Sequence, residues 1–451
     1  MHFIAIGGAG MSGIAALFAR RGVRVSGSDR EDSPVLDELR ALGISIFVGH
    51  DVANLGDVQT VVVSSAIRED NVELAAARQR GLRVWHRSVA LAALMFGHTG
   101  VAITGTHGKT TTSALAAQLL DAAGLEPSWV LGAPLAKGSS AKLGAGDPFV
   151  IEADESDGSY LQYDASIVCV TNIESDHLDN WLTDTAYRAG FLLLAGKPGV
   201  TAVVASADDP GARDFIVGLS ATGKKVVTFG EAEDADVRLS EFSFAGAGSD
   251  AVITAEGDTG PVHLEMPGKH NLYNFAAAYA IGRLLGVPGS TLREAASGLV
   301  GARRRFQILG AAAGVRVVDD YAHHPTEIVA ALKAARRYAG VGRVIACFQP
   351  HLFTRTRDFA TELGDALAFA DGIVVTDIYP AREDPIPGVT GKLVADAASR
   401  TGGPVVYVQS LAEVPQILAD LAHAGDVVMT IGAGSITHVG PELLAILDAK
   451  A

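Results

Sequence analysis

Twice in this chain an apolar strand-like run breaks at a glycine loop and passes directly into a helical stretch. The first is HFIAIGGAGMSGIAALFARRG at residues 2–22 and the second VAITGTHGKTTTSALAAQLLDAAG at 101–124. A strand whose carboxyl end opens into a helix returns to its sheet by a crossover, so both segments commit the chain to parallel α/β architecture. The rest of the first segment keeps the alternation, with strand-like VRVSGSD, ISIFVG, TVVVSS and LRVWH separated by PVLDELRALG and NVELAAARQRG. The second continues with PFVIEAD, SIVCVTN, TAVVAS and KVVTFG. Residues 235–266 change character: VRLSEFSF, AVITAE and VHLEM alternate apolar and polar residues between Gly/Asp turns and predict an antiparallel patch. From Phe306 onward VRVVDD, GRVIACFQ, DGIVVTDIY, PVVYVQS and DVVMTIGAG alternate with helices near 325–339, 355–370, 391–401, 411–424 and 438–449. The expected fold is α/β in three domains: a Rossmann-like domain over 1–98, a central P-loop-type domain over 99–305, and a doubly wound Rossmann-like domain over 306–451.

Composition narrows the partners. With 48% hydrophobic residues across 451 positions, the chain has enough apolar material for several cores. The 36 Lys and Arg against 51 Asp and Glu give a net charge of −15. A field of that sign opposes nonspecific binding to nucleic acid or to an anionic membrane, so any phosphate-bearing partner must sit in a local pocket. Cys169 and Cys347, each inside an apolar run, read as reduced core thiols of a cytoplasmic protein rather than a disulfide framework. No apolar run approaches membrane-spanning length, and MHFIAIGGAGMSG has no basic leader, so it is expected to be fold rather than signal peptide.

The loops carry the chemistry. Gly8-Ala9-Gly10-Met11-Ser12-Gly13 fits the dinucleotide pattern G-x-G-x-x-G, with Asp29 at the end of the second strand as a ribose acceptor. By itself this pattern suggests an NAD-dependent oxidoreductase, or a glycine turn needed only for packing. Gly105-Thr106-His107-Gly108-Lys109-Thr110-Thr111 is a shorter relative of the Walker loop, G-x-x-G-K-T, because a full one would need glycine at Ile103. Its backbone N–H groups would wrap phosphates, Lys109 would reach the β/γ-phosphates, and Thr110 would ligate Mg²⁺. Two phosphate loops in one chain favour a nucleotide-linked substrate plus ATP over hydride transfer. The acidic run Glu152-Ala153-Asp154-Glu155-Ser156-Asp157 ends a neighbouring strand, where carboxylates complete a metal shell or form a solvated loop. His177 ends another strand, Asn271 and Asn274 open a helix, and Arg303-Arg304-Arg305 mark a boundary. Asp319-Asp320-Tyr321-Ala322-His323-His324 and Gln349-Pro350-His351-Leu352-Phe353-Thr354-Arg355 end the first two strands of the last domain. Polar clusters at carboxyl strand ends are where open α/β sheets bind ligands. Three such rims are expected to serve one reaction.

The runs GGAGMSGIA, GTHGKTTT, EADESDGSYL, TNIESDHLD, HNLYNFAAA, RRRFQ, DDYAHHPTE, FQPHLFTRT and DIYPAREDPIPGV resemble the Mur ligases of bacterial cell-wall synthesis, from residue 3 to about 435. Their order and spacing are most similar to the branch that adds L-alanine to UDP-N-acetylmuramate, with the tripeptide-recycling branch as nearest alternative. A bare P-loop NTPase is a further alternative. The resemblance implies ATP-driven amide formation through an acyl phosphate, with ATP as co-substrate, two Mg²⁺ ions, and a cytoplasmic monomer or homodimer. It implies ATP contacts from residues 105–111, Asn271, Asn274 and Arg305, and metal ligation by Thr110, Glu152 and His177, with Glu155 a further carboxylate candidate. Lys109, Glu152, His177 and Arg305 would be catalytic. Gly8, Ala9, Gly10, Met11, Ser12, Gly13, Ser28, Asp29, Ser65 and Arg87 would surround the UDP-sugar. Tyr321, His323, His351 and Arg355 would face the amino acid and the muramoyl end. Some members carry Arg where this chain has Leu352, which leaves Arg355 with less help for the substrate carboxylate. No lysine is assigned the carbamylated role found in several relatives. Replacing Lys109 by Ala is expected to abolish turnover and leave the fold intact.

Overall fold

The structure, a computed structural model, describes residues 1–381 and 383–450, the side chains of Ala9 and Asp179 excepted. Arg382 of the DIYPAREDPIPGV run, Ala451 and any contact of the Ala9 side chain therefore lie outside the described residues. The chain divides into two compact units, one of Met1–Ser240, Val252–Val262 and Tyr273–Leu299, the other of Glu241–Ala251, His263–Leu272 and Val300–Ala451. Its strands form three sheets.

The first sheet has five parallel strands in the order Ser45–Val48, Ser26–Asp29, His2–Ile4, Thr60–Val63, Arg83–His86. This is the doubly wound order, with the switch point beside His2–Ile4, where such sheets bind nucleotides at their carboxyl ends. The helix Ala9–Arg20 begins one residue after Gly8, so Gly10 and Gly13 lie inside it rather than in the preceding turn. The second sheet runs Asp258–Leu264, Gly248–Ala255, Val237–Ala245, Lys225–Gly230, Ala202–Ser206, Ile167–Val170, Thr99–Thr104, Pro148–Glu152, Ser128–Val130, Ala141–Lys142. The three alternating strands of 235–266 thus extend this sheet, joined to it through the parallel pair Phe229 with Val237. The third sheet runs Gln307–Ala312, Val315–Asp320, Val427–Ile431, Val344–Phe348, Gly372–Thr376, Val405–Val408. It is parallel except for Gln307–Ala312, an antiparallel edge strand with a bulge between Ile308 and Gly310.

The interior ties the first sheet to the second. A single apolar cluster runs from Phe3, Ile14 and Leu17 through Leu91 and Val130 to Phe149, Val168 and Phe191. Gly13 sits where a β-carbon would fall 3.0 Å from the Ala141 methyl, so the first glycine helix packs directly on the edge of the second sheet. Contiguous close-packed core of this kind fixes the distance between the two phosphate loops. In the second unit two clusters, around Val318, Ile328 and Phe348 and around Val317, Val374 and Leu443, cover the two faces of the third sheet.

Candidate active site

In the first unit the strand Thr99–Thr104 ends in the phosphate loop and the helix Lys109–Ala122 follows. Gly105 and Gly108 take φ of +123° and +82°, which L-residues with side chains resist. A β-carbon at Gly105 would fall 2.2 Å from Thr171 Oγ1 and one at Gly108 2.6 Å from Asn274 Oδ1. The loop is pinned from its neighbours: His107 N–H donates to Asn172 Oδ1 at 2.9 Å, and Thr171 Oγ1 and Asn172 Nδ2 donate to His107 O at 2.5 and 3.0 Å. The Thr106 hydroxyl donates to Glu174 O at 2.9 Å. Thr111 is buried, and Thr112 Oγ1 donates to Asn274 Oδ1 at 3.2 Å.

Lys109 folds back on its own loop. Its ammonium donates to Gly105 O at 2.7 Å, Thr106 O at 3.0 Å and Glu155 Oε1 at 2.9 Å. Burial works against that charge, but Glu155, with Asp154 and Glu152, outweighs it and raises the pKa, so the group stays an ammonium. The ammonium is therefore structural in its own right. Lys109→Ala would leave Glu155, a carboxylate with 0% exposure, without its ammonium partner and with the His177 imidazole 3.5 Å away, which argues against an untouched fold.

The residues around this ammonium fit a divalent cation. Thr110 Oγ1 donates to Glu152 Oε1 at 3.0 Å, and Glu152 Oε2 accepts from Gly132 N–H at 2.8 Å. Glu155 Oε2 is buried with no hydrogen-bond partner, an orphaned anionic oxygen aimed into the same cluster. His177 Nε2 lies 3.5 Å from Glu155 Oε1 and 3.5 Å from Asp176 Oδ2. Burial lowers its pKa, yet the bond to Glu155 and the charges of Asp176 and Glu155 prevail and raise it. His177 itself takes φ of +54°, which turns the chain into the short helix Leu178–Trp181. The Thr110–Glu152 pair and the Glu155–His177 pair thus both stand beside the phosphate loop, and their oxygens are of the kind Mg²⁺ takes.

The acidic segment also reaches the first sheet. Arg87 Nη2 donates to Asp154 Oδ2 at 3.3 Å, and Ser65 Oγ donates to Asp157. Burial opposes the Arg87 charge, but Asp154 in particular holds its pKa up. Arg87 starts the helix Arg87–Met95 directly after a strand and lies over the glycine helix: a β-carbon at Gly10 would fall 2.9 Å from its Nη1. Asp29 Oδ2 accepts from Gly7 N–H at 2.8 Å and so closes the turn ahead of Gly8. Met11 is buried in the core, Ser12 and Gly13 lie on the first turns of the helix, and Ser28 is buried with its hydroxyl donated to Glu73 Oε2 at 2.5 Å. The structure therefore brings Gly8, Gly10, Asp29, Arg87 and Ser65 to one sheet end, while Met11 and Ser28 face the interior.

In the second unit Asn271 Nδ2 donates to Pro267 O at 2.8 Å. Arg304 and Phe306 adopt φ of +60° and +47° on either side of Arg305. That turn is clamped by Phe306 N–H to Asp320 Oδ2 at 2.7 Å, Tyr321 N–H to Arg304 O at 2.7 Å, and Arg304 Nε to Asp319 Oδ2 at 3.0 Å. Arg305 lies 5.2 Å from the centre of the Tyr321 ring and 3.8 Å from Glu327. His323 packs edge-on to Tyr321 and to His351, with ring centres 5.5 and 5.8 Å away. Burial pushes His323 down to about 3, with Arg355 and His351 adding to the shift against Glu327, so it is a neutral imidazole at pH 7. Leu352 is buried at φ of +69°, immediately before the helix Phe353–Leu367 that carries the largely buried Arg355. The structure brings Tyr321, His323, His351 and Arg355 together, while sequence reasoning missed Gly132 and gave Asn172 and Asp154 no role of their own. Gly132 had no motif around it, although a β-carbon there would fall 2.3 Å from Glu152.

Family models match three segments: the Mur ligase family catalytic domain over residues 1–99, the Mur ligase middle domain over 103–282, and the Mur ligase glutamate ligase domain over 304–434. The chain is 55% identical to the UDP-N-acetylmuramate–L-alanine ligase of Cutibacterium acnes, covering 100% of this chain and 96% of that one. It is 47% identical to the protein of the same name from Streptomyces avermitilis, over 100% and 97%. Among solved structures, the UDP-N-acetylmuramate-alanine ligase of Thermotoga maritima superposes with a TM-score of 0.85 at 29% identity, covering 100% and 99%. A murein peptide ligase from Psychrobacter arcticus shares the fold, with a TM-score of 0.74 at 24% identity over 99% and 98%. With its three matched segments and its full-length relatives, this chain belongs to the Mur ligase family.

Proposed function

We propose that the protein is an ATP-dependent UDP-N-acetylmuramate–L-alanine ligase of peptidoglycan precursor synthesis. The observation that carries this reading is the full-length likeness to alanine-adding relatives at 55% identity, together with a phosphate loop and a sugar-nucleotide-type glycine turn in one unit. The tripeptide-recycling alternative is disfavoured by the weaker superposition, TM-scores of 0.74 and 0.60 for two ligases of that kind against 0.85 for the alanine ligase structure. The three-domain division at 1–98, 99–305 and 306–451 is part of the same proposal, as is a cytoplasmic location beside the UDP-linked substrate.

The phosphate loop cradles the ATP phosphates through its N–H groups and the positive end of the helix Lys109–Ala122. Lys109 exchanges its contact with Glu155 for the γ-phosphate and supports the charge that builds on the migrating phosphoryl. Thr110, Glu152, His177 and Glu155 would hold Mg²⁺, which when bound offsets the repulsion between the anionic reactants. The Gly8–Gly13 segment at the start of the helix Ala9–Arg20, with Asp29, Ser65 and Arg87, holds the UDP-sugar so that its carboxylate oxygen meets the γ-phosphorus. The new O–P bond forms as the β–γ bridge breaks and ADP leaves. Tyr321, His323, His351 and Arg355 orient L-alanine, and Asn271, Asn274 and Arg305 contact ATP. The free amine attacks the acyl carbon, loses a proton, and phosphate departs with the electron pair of the broken C–O bond. A neutral His323 leaves the nearby amine without a cation of its own to repel it.

The test is a competition assay. Protein, Mg-ATP and UDP-N-acetylmuramate are incubated with equimolar L-alanine, glycine, L-serine and the L-Ala-γ-D-Glu-diaminopimelate tripeptide, and the products are weighed by mass spectrometry. The L-alanyl product is expected to dominate. A dominant tripeptide adduct would move the chain to the recycling branch.

A further inference from the structure

The carboxylates that follow the strand Pro148–Glu152 face two ways with a regular spacing. Glu152 and Glu155 take Thr110 and Lys109 of the phosphate loop. Asp154 and Asp157, also three apart, take Arg87 and Ser65 of the first sheet, with His86 Nε2 4.0 Å from Asp157, and Asp154 also lies in the field of the Lys109 ammonium. The two aspartates are built alike. Asp154 Oδ1 accepts from Ser156 N–H at 3.1 Å and Asp157 Oδ1 from Ser159 N–H at 2.9 Å, so in each the Oδ2 atom is the one that reaches across. Arg87 is shared in the same manner: Nη2 goes to Asp154, while Nη1 lies against the glycine turn beside Gly10.

We propose that Asp154 and Asp157 are positioning residues that couple occupancy of the sugar-nucleotide turn to the phosphate loop. A diphosphate that fixes Arg87 and Ser65 also fixes Asp154 and Asp157. They share one six-residue segment with Glu152 and Glu155, so those carboxylates are ordered around the ATP phosphates before ATP arrives. The coupling is reciprocal by linkage, each ligand tightening the other by the same factor. The inference rests on the reading of Gly8–Gly13, Ser65 and Arg87 as the UDP-sugar site.

Calorimetry on the full chain tests it, with a non-hydrolysable ATP analogue and Mg²⁺ titrated with and without saturating UDP-N-acetylmuramate. The wild type is expected to bind the analogue at least about fivefold tighter when the sugar nucleotide is present. In Asp154→Asn that factor falls to within about twofold of unity, and Asp154→Glu restores part of it. Hydrogen exchange of residues 153–158 in the unaltered chain is expected to slow with the sugar nucleotide alone, a readout that needs no variant. Coupling retained in Asp154→Asn, or exchange unchanged in the wild type, would overturn the proposal. Failure of the wild type to bind UDP-N-acetylmuramate at all would instead overturn the functional reading beneath it.

Discussion

Lys109 shows how one side chain serves fold and chemistry together. Its ammonium joins two loop carbonyls to Glu155, whose second oxygen has no partner. Lys109→Met is expected to lower turnover by about a hundred- to a thousandfold, the loss seen when one charge-stabilising donor is removed. It should also lower stability by about 3 kcal/mol, because a buried carboxylate loses its cation. Adding Glu155→Gln should recover most of the melting temperature and none of the turnover, which thermal unfolding and an assay of the same samples would show. Glu73 is a second case. Burial alone would raise its carboxyl, but hydrogen bonds from His2, Ser28 and Asn54 prevail and hold it at about 2, against an ordinary 4.5. The folded state therefore binds fewer protons than the unfolded chain between these values. This contribution is fully present above pH 4.5 and lost as pH falls toward 2. Denaturant titrations across that window are expected to show a shallower acid slope in Glu73→Gln than in the wild type.

Glycines make the clearest prediction among the loops and helices. At Gly10 an added methyl meets only the end of the Arg87 side chain, so Gly10→Ala should displace Arg87 without breaking the helix. The expected result is a KM for UDP-N-acetylmuramate raised by about tenfold, the cost of one weakened ionic contact, with the melting temperature nearly unchanged. Gly108→Ala differs, because its φ of +82° and the Asn274 oxygen both oppose a β-carbon. It should lower stability by about 1–2 kcal/mol and weaken ATP binding, measured by unfolding and by nucleotide titration. The long parallel strands and both glycine loops were legible because apolar runs and turn residues alternate there with little competition. Ser128–Val130 and Ala141–Lys142 were not, being too short to show a period. The edge strand Gln307–Ala312 was hidden by its bulge and small residues, and Arg87–Met95 by the absence of any loop before it. Among site residues, those inside dense motifs were legible. Gly132 meets Glu152 only through the fold, and the pinning of the phosphate loop by Asn172, although it sits inside a motif, is a contact between distant segments that no local pattern records.

Across the molecule, the sequence suggested three units, one for each sheet. The matched family segments divide the chain into three α/β parts, and the Ala9–Arg20 helix shares its apolar core with the second sheet. This gives the two phosphate loops a common rigid base, which a ligase joining a nucleotide-linked acid to ATP requires. Among the described residues no helix is long and apolar enough to cross a membrane. The account turns on one requirement: ATP is split only when both the sugar-nucleotide carboxylate and the amine are present. The direct test is steady-state phosphate release from Mg-ATP with UDP-N-acetylmuramate and L-alanine, each omitted in turn. The account predicts sustained release with both present and almost none when either is left out. Equal release with no acceptor would contradict it and leave a bare nucleoside triphosphatase.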